Sequence, residues 1–327
     1  MSAEDASAGF APVSDVELGQ MNGILSSILS PFTSDADRQA ATVAVETGFE
    51  DEAERVVLTM LALLRPVVPI AGVNTEISPS VRNLILVLFY QNIARGEVDL
   101  YSRLSLPART AFKTELLQFL LTEQTPFLVT ACQNAVVRCA EVTLYRDEWP
   151  ELFPFIFSCA SASSTGAPNA ALLLRVALYF IEALCDKCVD SLLLHIDPVL
   201  SLLSAALSTS PDLAAAVAAV RASCALASCD LPAEVSRALK PFVPLFLSVL
   251  SNALTAGDSR AARYVLTLQM ECIQSELVVE MRYCTIFLRY CFLMFIFAHI
   301  FASHPETAIL SHILCCCSLS TGRFSRF

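Results

Sequence analysis

Glycine is scarce in this chain, nine residues in 327, and the nine stand isolated. That excludes a phosphate-cradling loop and a dinucleotide fingerprint, both of which need glycines clustered at a strand-to-helix turn. Histidine is scarcer still, with four residues, and neither a His-Glu-x-x-His helix nor a Gly-x-Ser-x-Gly elbow occurs. No catalytic residue, cofactor site or metal site is therefore expected, and the chain does not read as an enzyme. Positive charge is short as well: 21 Lys and Arg face 32 Asp and Glu, for a net charge of −11. Nucleic acid, whose phosphates call for a basic footprint, is not an expected partner. An acidic surface suits basic proteins, or else simply keeps the chain soluble, and both readings stand. Residues 1–20 lack the basic start and apolar core of a signal peptide. The 13 cysteines are scattered singly over apolar stretches, so buried thiols in a reducing compartment are expected. Cys185-x-x-Cys188 has the spacing of half a metal site, with Cys224 and Cys229 one repeat later. Both pairs, however, are read as lying inside apolar helices, without the tight turn of a zinc knuckle.

What the chain has is apolar residues, 55% of the total, and a sentence written three times. Pro154, Pro198 and Pro244 each open an amphipathic run, at spacings of 44 and 46 residues. Apolar residues follow at matched offsets: Phe155, Val199 and Leu245; Ile156, Leu200 and Phe246; Cys159, Leu203 and Val249. Each run ends in a small polar break and a residue suited to cap the next helix: Asn169, Asp212 and Asp258. A proline tolerated in a first helical turn, an apolar run, a cap and a second apolar helix make one unit. A two-helix unit with a period in the mid-forties predicts an all-α, HEAT- or armadillo-like solenoid. No segment alternates with period two for long enough to predict a sheet.

Working along the chain, residues 1–20 are expected as a disordered lead-in and residues 21–277 as about six antiparallel helix pairs. Ile24, Leu25, Ile28 and Leu29 mark the first helix, which Pro31 ends; Ser34 and Asp35 start its partner. Repeat two begins in the acidic run 50–54, breaks at Pro66 and Pro69 into a loop over 67–80, and resumes as a helix over about 79–93. Repeat three runs from Pro107, with its second helix opened by Pro126. Repeats four to six start near Trp149, Leu193 and Val235.

One polar pattern interrupts the apolar helices. Asn134, Arg138 and Glu141 share a face at four- and three-residue spacing. The face reappears 41 residues on as Arg175, Tyr179 and Glu182, followed by Asp186; a further 43 residues on, its places fall on Ala218, Ala222 and Ala225. Such a ladder on second helices is either a partner-binding concave face or an ordinary solvated one.

With these residues in view, the chain resembles the N-terminal repeats of the importin-beta (karyopherin-beta) family, and within it the importin beta-3 branch. Four segments carry the likeness: residues 24–41 (ILSSILSPFTSDADRQAA), 104–141, 148–157 (EWPELFPFIF) and 240–266, in that order and spacing. Residues 81–92 lack the basic ending usual in that helix, and Asp99-Leu100-Tyr101 stands where an acidic tryptophan segment is common. The resemblance implies a nucleocytoplasmic transport receptor, or an N-terminal fragment of one, shared between cytoplasm and nucleus. Its implied partners are the GTP form of the small GTPase Ran, basic protein cargo and nuclear pore proteins. The alternative is a generic HEAT-repeat scaffold that does not bind Ran.

Residues 278–327 break the grammar with YCTIFLRYCFLMFIFAHIFA and CCCSLSTGRFSRF. Residues 286–302 approach the ~20 apolar residues of a membrane span, but Arg289 and His299 interrupt them, and a membrane is not an expected partner. A frame-shifted or non-coding stretch, a helix capping the end of repeat six, and a tail anchor are the three readings.

Overall fold

A computed structural model describes residues 12–95, 99–162, 169–210 and 212–274. The chain divides into two units, 1–269 and 270–327. Of the second, only the end of one helix is described, so the expectations for the tail lie outside the described residues.

Among the described residues, six principal helix pairs follow in order, with three short helices and one hairpin between them. The first pair is α1 (Asp15–Leu29) and α2 (Asp35–Asp51). Helix α3 (Ala53–Leu63) is followed by strands β1 (Val67–Ile70) and β2 (Val73–Glu76), then α4 (Pro79–Asn92). Next come the short α5 (Leu100–Arg103), α6 (Leu106–Thr122) and α7 (Pro126–Thr143). The fourth pair is α8 (Leu152–Ala162) and α9 (Ala170–Lys187), with the short α10 (Val189–Leu193) after it. The fifth is α11 (Ile196–Thr209) and α12 (Leu213–Ala227). Short α13 (Ala233–Leu239) leads to α14 (Phe242–Thr255) and α15 (Ser259–Gln274). First helices pack on first helices, α3 on α6 and α8 on α11 on α14, while second helices stack α4 on α7 on α9 on α12. This is the HEAT-type solenoid that the mid-forties period predicts.

The local grammar explains where each helix begins. Pro154, Pro198 and Pro244 are each the third residue of their helix, α8, α11 and α14, where the missing N–H would have had no intrahelical partner. Asp212 accepts the Ala214 N–H at 3.0 Å and Asp258 the Ala261 N–H at 2.9 Å, as expected of caps. Asn169 occupies the cap position of α9 without a side-chain bond there. Helix α1 starts at Asp15, inside the segment 1–20 expected to be disordered. The reason is a capping box: Ser14 Oγ accepts the Glu17 N–H, and the Glu17 carboxylate accepts the Ser14 N–H at 2.8 Å.

The hairpin is the second departure from expectation, since 67–80 reads as a loop. Ala71 and Gly72 both take positive φ, 52° and 77°, the two-residue turn that joins tight antiparallel strands. Ile70 pairs with Val73 across it and Val67 with Glu76. The hairpin lies against α1, where Asp15 Oδ2 accepts the Gly72 N–H at 3.2 Å. A side-chain carbon at Gly19 would come within 3.2 Å of Ile70, so a bare backbone lets β1 close on the helix.

In the core, Cys159, Leu203 and Val249, equivalent across three repeats, are all buried, as are Ile156 and Phe246. Leu200, expected among them, is only half-buried, and Val199 is fully enclosed instead. The apolar stripe of α11 is turned by one position because that helix is held between α8 and α14 as well as on α12. Truncating a residue such as Leu203 to alanine costs ~2–5 kcal/mol in cores of this kind. His195 stacks on the Phe153 ring at 4.2 Å, closing the α8–α11 junction. Residues 233–255 are the one stretch among the described residues long and apolar enough to cross a membrane. Here they are broken between α13 and α14 and bury Phe242, Phe246, Val249 and Leu250.

Candidate functional site

The polar ladder lies on the layer of second helices, and Asn134, Tyr179 and Glu182 are bonded from helix to helix. Tyr179 on α9 donates its hydroxyl to Asn134 Oδ1 on α7. Glu182 on α9 accepts from Arg221 on α12, through Nε at 3.1 Å and Nη2 at 2.5 Å. Arg175 stands 3.7 Å from Asp212, the cap of α12. Arg138 and Glu141 pair with each other along α7, and Arg138 also reaches the Ala94 carbonyl at 3.5 Å. Asp186, the most exposed of the set, is paired with Lys187 at 2.8 Å.

A groove of about 500 Å³ opens over this seam, floored by α7, α9 and α12. Gln133, Arg175, Tyr179, Glu182, Ala218 and Arg221 line it, with Gln124 and Asn169 at its rim. Of the seven residues read from the sequence, Arg175, Tyr179 and Glu182 line the groove. Asn134 is joined to it through Tyr179. Arg138, Glu141 and Asp186 stand on the same two helices but not in its lining.

Arg221 is the residue that the register argument passes over. Shifting the ladder by 43 residues lands on Ala218, Ala222 and Ala225, and Ala222 is fully buried. Arg221 lies one turn from Ala218 on the adjoining face, and its length brings the guanidinium back to Glu182. The signal was present: Arg221 is the one charged residue in the fifteen of α12. Its guanidinium also sits 5.8 Å over the Tyr264 ring, so the polar line reaches α15.

The electrostatics fit a half-buried seam. Burial, with Glu182 nearby, pushes the Tyr179 hydroxyl above its ordinary range, so it stays protonated and donating. The side chains of Arg138, Arg175 and Arg221 remain 36–45% exposed, so the seam is wet and its bonds can be exchanged. Among the described residues, no three His, Cys, Asp or Glu side chains converge as metal ligands would. The expectation that both cysteine pairs lie within helices needs correcting, since Cys188 and Cys229 sit just beyond the ends of α9 and α12.

Known proteins place this architecture. A family model described as "IPO5-like, TPR repeats" matches residues 130–279. No curated protein matches the sequence. Among solved structures, Kap121p bound to Ste12p superposes with a TM-score of 0.63 at 16% identity, covering 83% of this chain and 24% of that one. The karyopherin Kap121p bound to the SUMO protease Ulp1p gives 0.59 at 18%, with 80% and 24% covered. Kap121p bound to Nup53p gives 0.59 at 19%, again with 80% and 24% covered. At these identities the likeness is one of fold, and the chain spans about a quarter of the length of the Kap121p chains. With the family model carrying the sequence and the solved chains carrying the fold, the resemblance to the importin-beta (karyopherin-beta) family is borne out.

Proposed function

We propose that this chain acts in nucleocytoplasmic transport, as a receptor or the N-terminal part of one, and binds its partners on the second-helix seam. The observation that carries the reading is the bonded polar line across α7, α9 and α12, which runs without a break over three successive repeats. A partner on such a surface contacts several repeats at once, so its affinity depends on their curvature. Two partners that prefer different curvatures then exclude one another, which is the energetic basis of loading and release. The proposed partners are the GTP form of the small GTPase Ran, basic protein cargo and nuclear pore proteins, and the chain distributes between cytoplasm and nucleus. The net charge of −11 favours basic cargo. Solved Kap121p chains bound to Ste12p and Nup53p support cargo and pore partners by analogy of fold.

Pull-down of purified Ran loaded with GTP or GDP tests the reading. Retention selective for the GTP form is the expected result. Equal or absent retention overturns it in favour of a HEAT scaffold that serves other partners.

A further inference from the structure

Two thiols from neighbouring repeats meet where α9 crosses α12. Cys185 lies in the last turn of α9, and Cys229 follows the end of α12, its N–H donating to the Leu226 carbonyl at 3.1 Å. They are 44 residues apart, the repeat period, so stacking the helices sets them side by side. The Cys229 thiol donates to the Cys185 carbonyl oxygen at 3.3 Å, so the two residues are in direct contact across the helices. Cys185 is buried, whereas Cys229 is half-exposed. The contact holds Cys229 below the ordinary thiol range and drives Cys185 above it, with burial adding to the rise. Cys229 is thus the thiol that solvent reaches and that ionises first, and Cys185 is the one that stands behind it. Cys132, Cys139 and Cys159 share none of this: each is buried, and burial raises each thiol.

We propose that Cys185 and Cys229 are a modification site, a pair that forms a reversible disulfide joining repeat four to repeat five. The oxidant class is a low-molecular-weight disulfide such as oxidised glutathione. The Cys229 thiolate attacks one of its sulfurs, the small S–S bond breaks, and one thiolate leaves. Cys185 gives up its proton to that thiolate or to water and attacks Cys229 Sγ, expelling the second small thiol. Two protein thiols are oxidised, and one small disulfide is reduced to two thiols. The bond fixes the spacing of α9 and α12 one turn beyond Glu182, which with Arg221 lines the groove. This site does not depend on the identity of any protein partner.

The test uses the full chain, reduced and then exposed to oxidised glutathione. Free thiols are blocked with N-ethylmaleimide, and unreduced tryptic peptides are mapped by mass spectrometry. Cleavage after Arg175, Lys187, Arg221 and Arg237 isolates Cys185 in residues 176–187 and Cys229 in residues 222–237. The expected product joins these two peptides and is lost on adding dithiothreitol. Since the second peptide also holds Cys224, Cys224→Ser should retain the link while Cys229→Ser lowers it at least tenfold. Cys185→Ser should leave Cys229 as a mixed disulfide with glutathione. Thermal unfolding of the oxidised chain should come at a higher temperature than that of the reduced chain, and the gap should vanish in Cys229→Ser. A wild-type link through Cys188 or Cys224 overturns the proposal, as does a wild-type mixed disulfide at Cys229 that never resolves.

Discussion

Repeats one to three and repeats four to six solve the same packing problem with different chemistry. The early repeats are stitched by long-range bonds from arginine and lysine. Arg55 pairs with Glu17 across 38 residues, Arg82 with Glu123 across 41, and Arg103 reaches the Glu50 carbonyl at 3.0 Å. Lys113 bonds the Glu148 carbonyl and stands 5.9 Å over the buried Trp149 ring, tying repeat three to the start of repeat four. The later repeats rest on apolar helices in proline register, and their interhelical ion pairs collect on one face, along the seam. The contrast is plainest between two pairs. Arg82 and Glu123 are 7% and 11% exposed, whereas Arg221 and Glu182 are 36% and 26% exposed. A charge buried with one partner has no substitute for it, whereas a charge at a wet seam has water and whatever else arrives.

The buried pair should therefore break hardest. Burial alone pushes the Glu123 carboxyl up, but bonds from Thr125 and Arg82 outweigh it and hold the group below its ordinary range. Removing one partner of such a pair strands the other and costs ~3–5 kcal/mol. Arg82→Ala should lose about that much in urea unfolding, while Arg82→Met with Glu123→Leu together should recover most of it. Were Arg82→Ala no more costly than Arg221→Ala, the distinction between the two halves would fall.

The second effect is smaller and depends on pH. The bond from Arg55, with help from Ser14, holds the Glu17 carboxyl at about 2. A folded pKa depressed in this way contributes stability that is fully present above the unfolded value near 4.5. It is lost as the pH falls from there toward about 2. Hydrogen exchange over α1, followed from pH 5 down to pH 2.5, should show protection falling faster than in α14. Glu17→Gln should flatten that fall and begin from a lower protection at pH 5. An unchanged pH profile in Glu17→Gln would remove Glu17 as its cause.

The same contrast decides what the sequence made legible. The later repeats announce themselves because Pro154, Pro198 and Pro244 keep one helical register and only side chains from adjacent repeats must fit. The early repeats have no such register, and ties such as Arg55 to Glu17 and Gly72 to Asp15 join residues that no repeated motif marks. The hairpin was hidden by Pro69 inside a four-residue strand, a residue that argues against a sheet unless the strand lies at an edge, as here. The start of α1 was readable, since Ser14-x-x-Glu17 is a capping box, but the polar composition around it pointed to disorder. In the seam, seven residues came from a periodic shift. Arg221 did not, because a long side chain can serve a face that its own position does not occupy.

The seam gives the smallest effect on stability and, on the proposed reading, the largest on binding. Arg138 and Arg175 are 36% and 45% exposed, and their partners Glu141 and Asp212 also keep contact with water. Exposed pairs of this kind contribute ~0–1 kcal/mol, so the double variant Arg138→Glu, Arg175→Glu should unfold within about that margin of wild type. Reversal also places four acidic groups where two ion pairs stood, and like charge at a contact surface repels an acidic patch on a partner while leaving apolar contacts intact. Binding of Ran loaded with GTP should weaken at least tenfold in the variant. A single reversal away from the seam, Lys240→Glu at the end of α13, should leave it unchanged, whereas Arg175→Glu alone, with the same change of charge, should weaken it. Equal losses from both reversals would mean that binding responds to overall charge, not to the seam. A loss confined to the seam variant, with an unaltered melting curve, would set the second-helix seam of repeats three to five apart as the part of the array that meets partners, and leave buried ties such as Arg82 with Glu123 as the part that holds its shape.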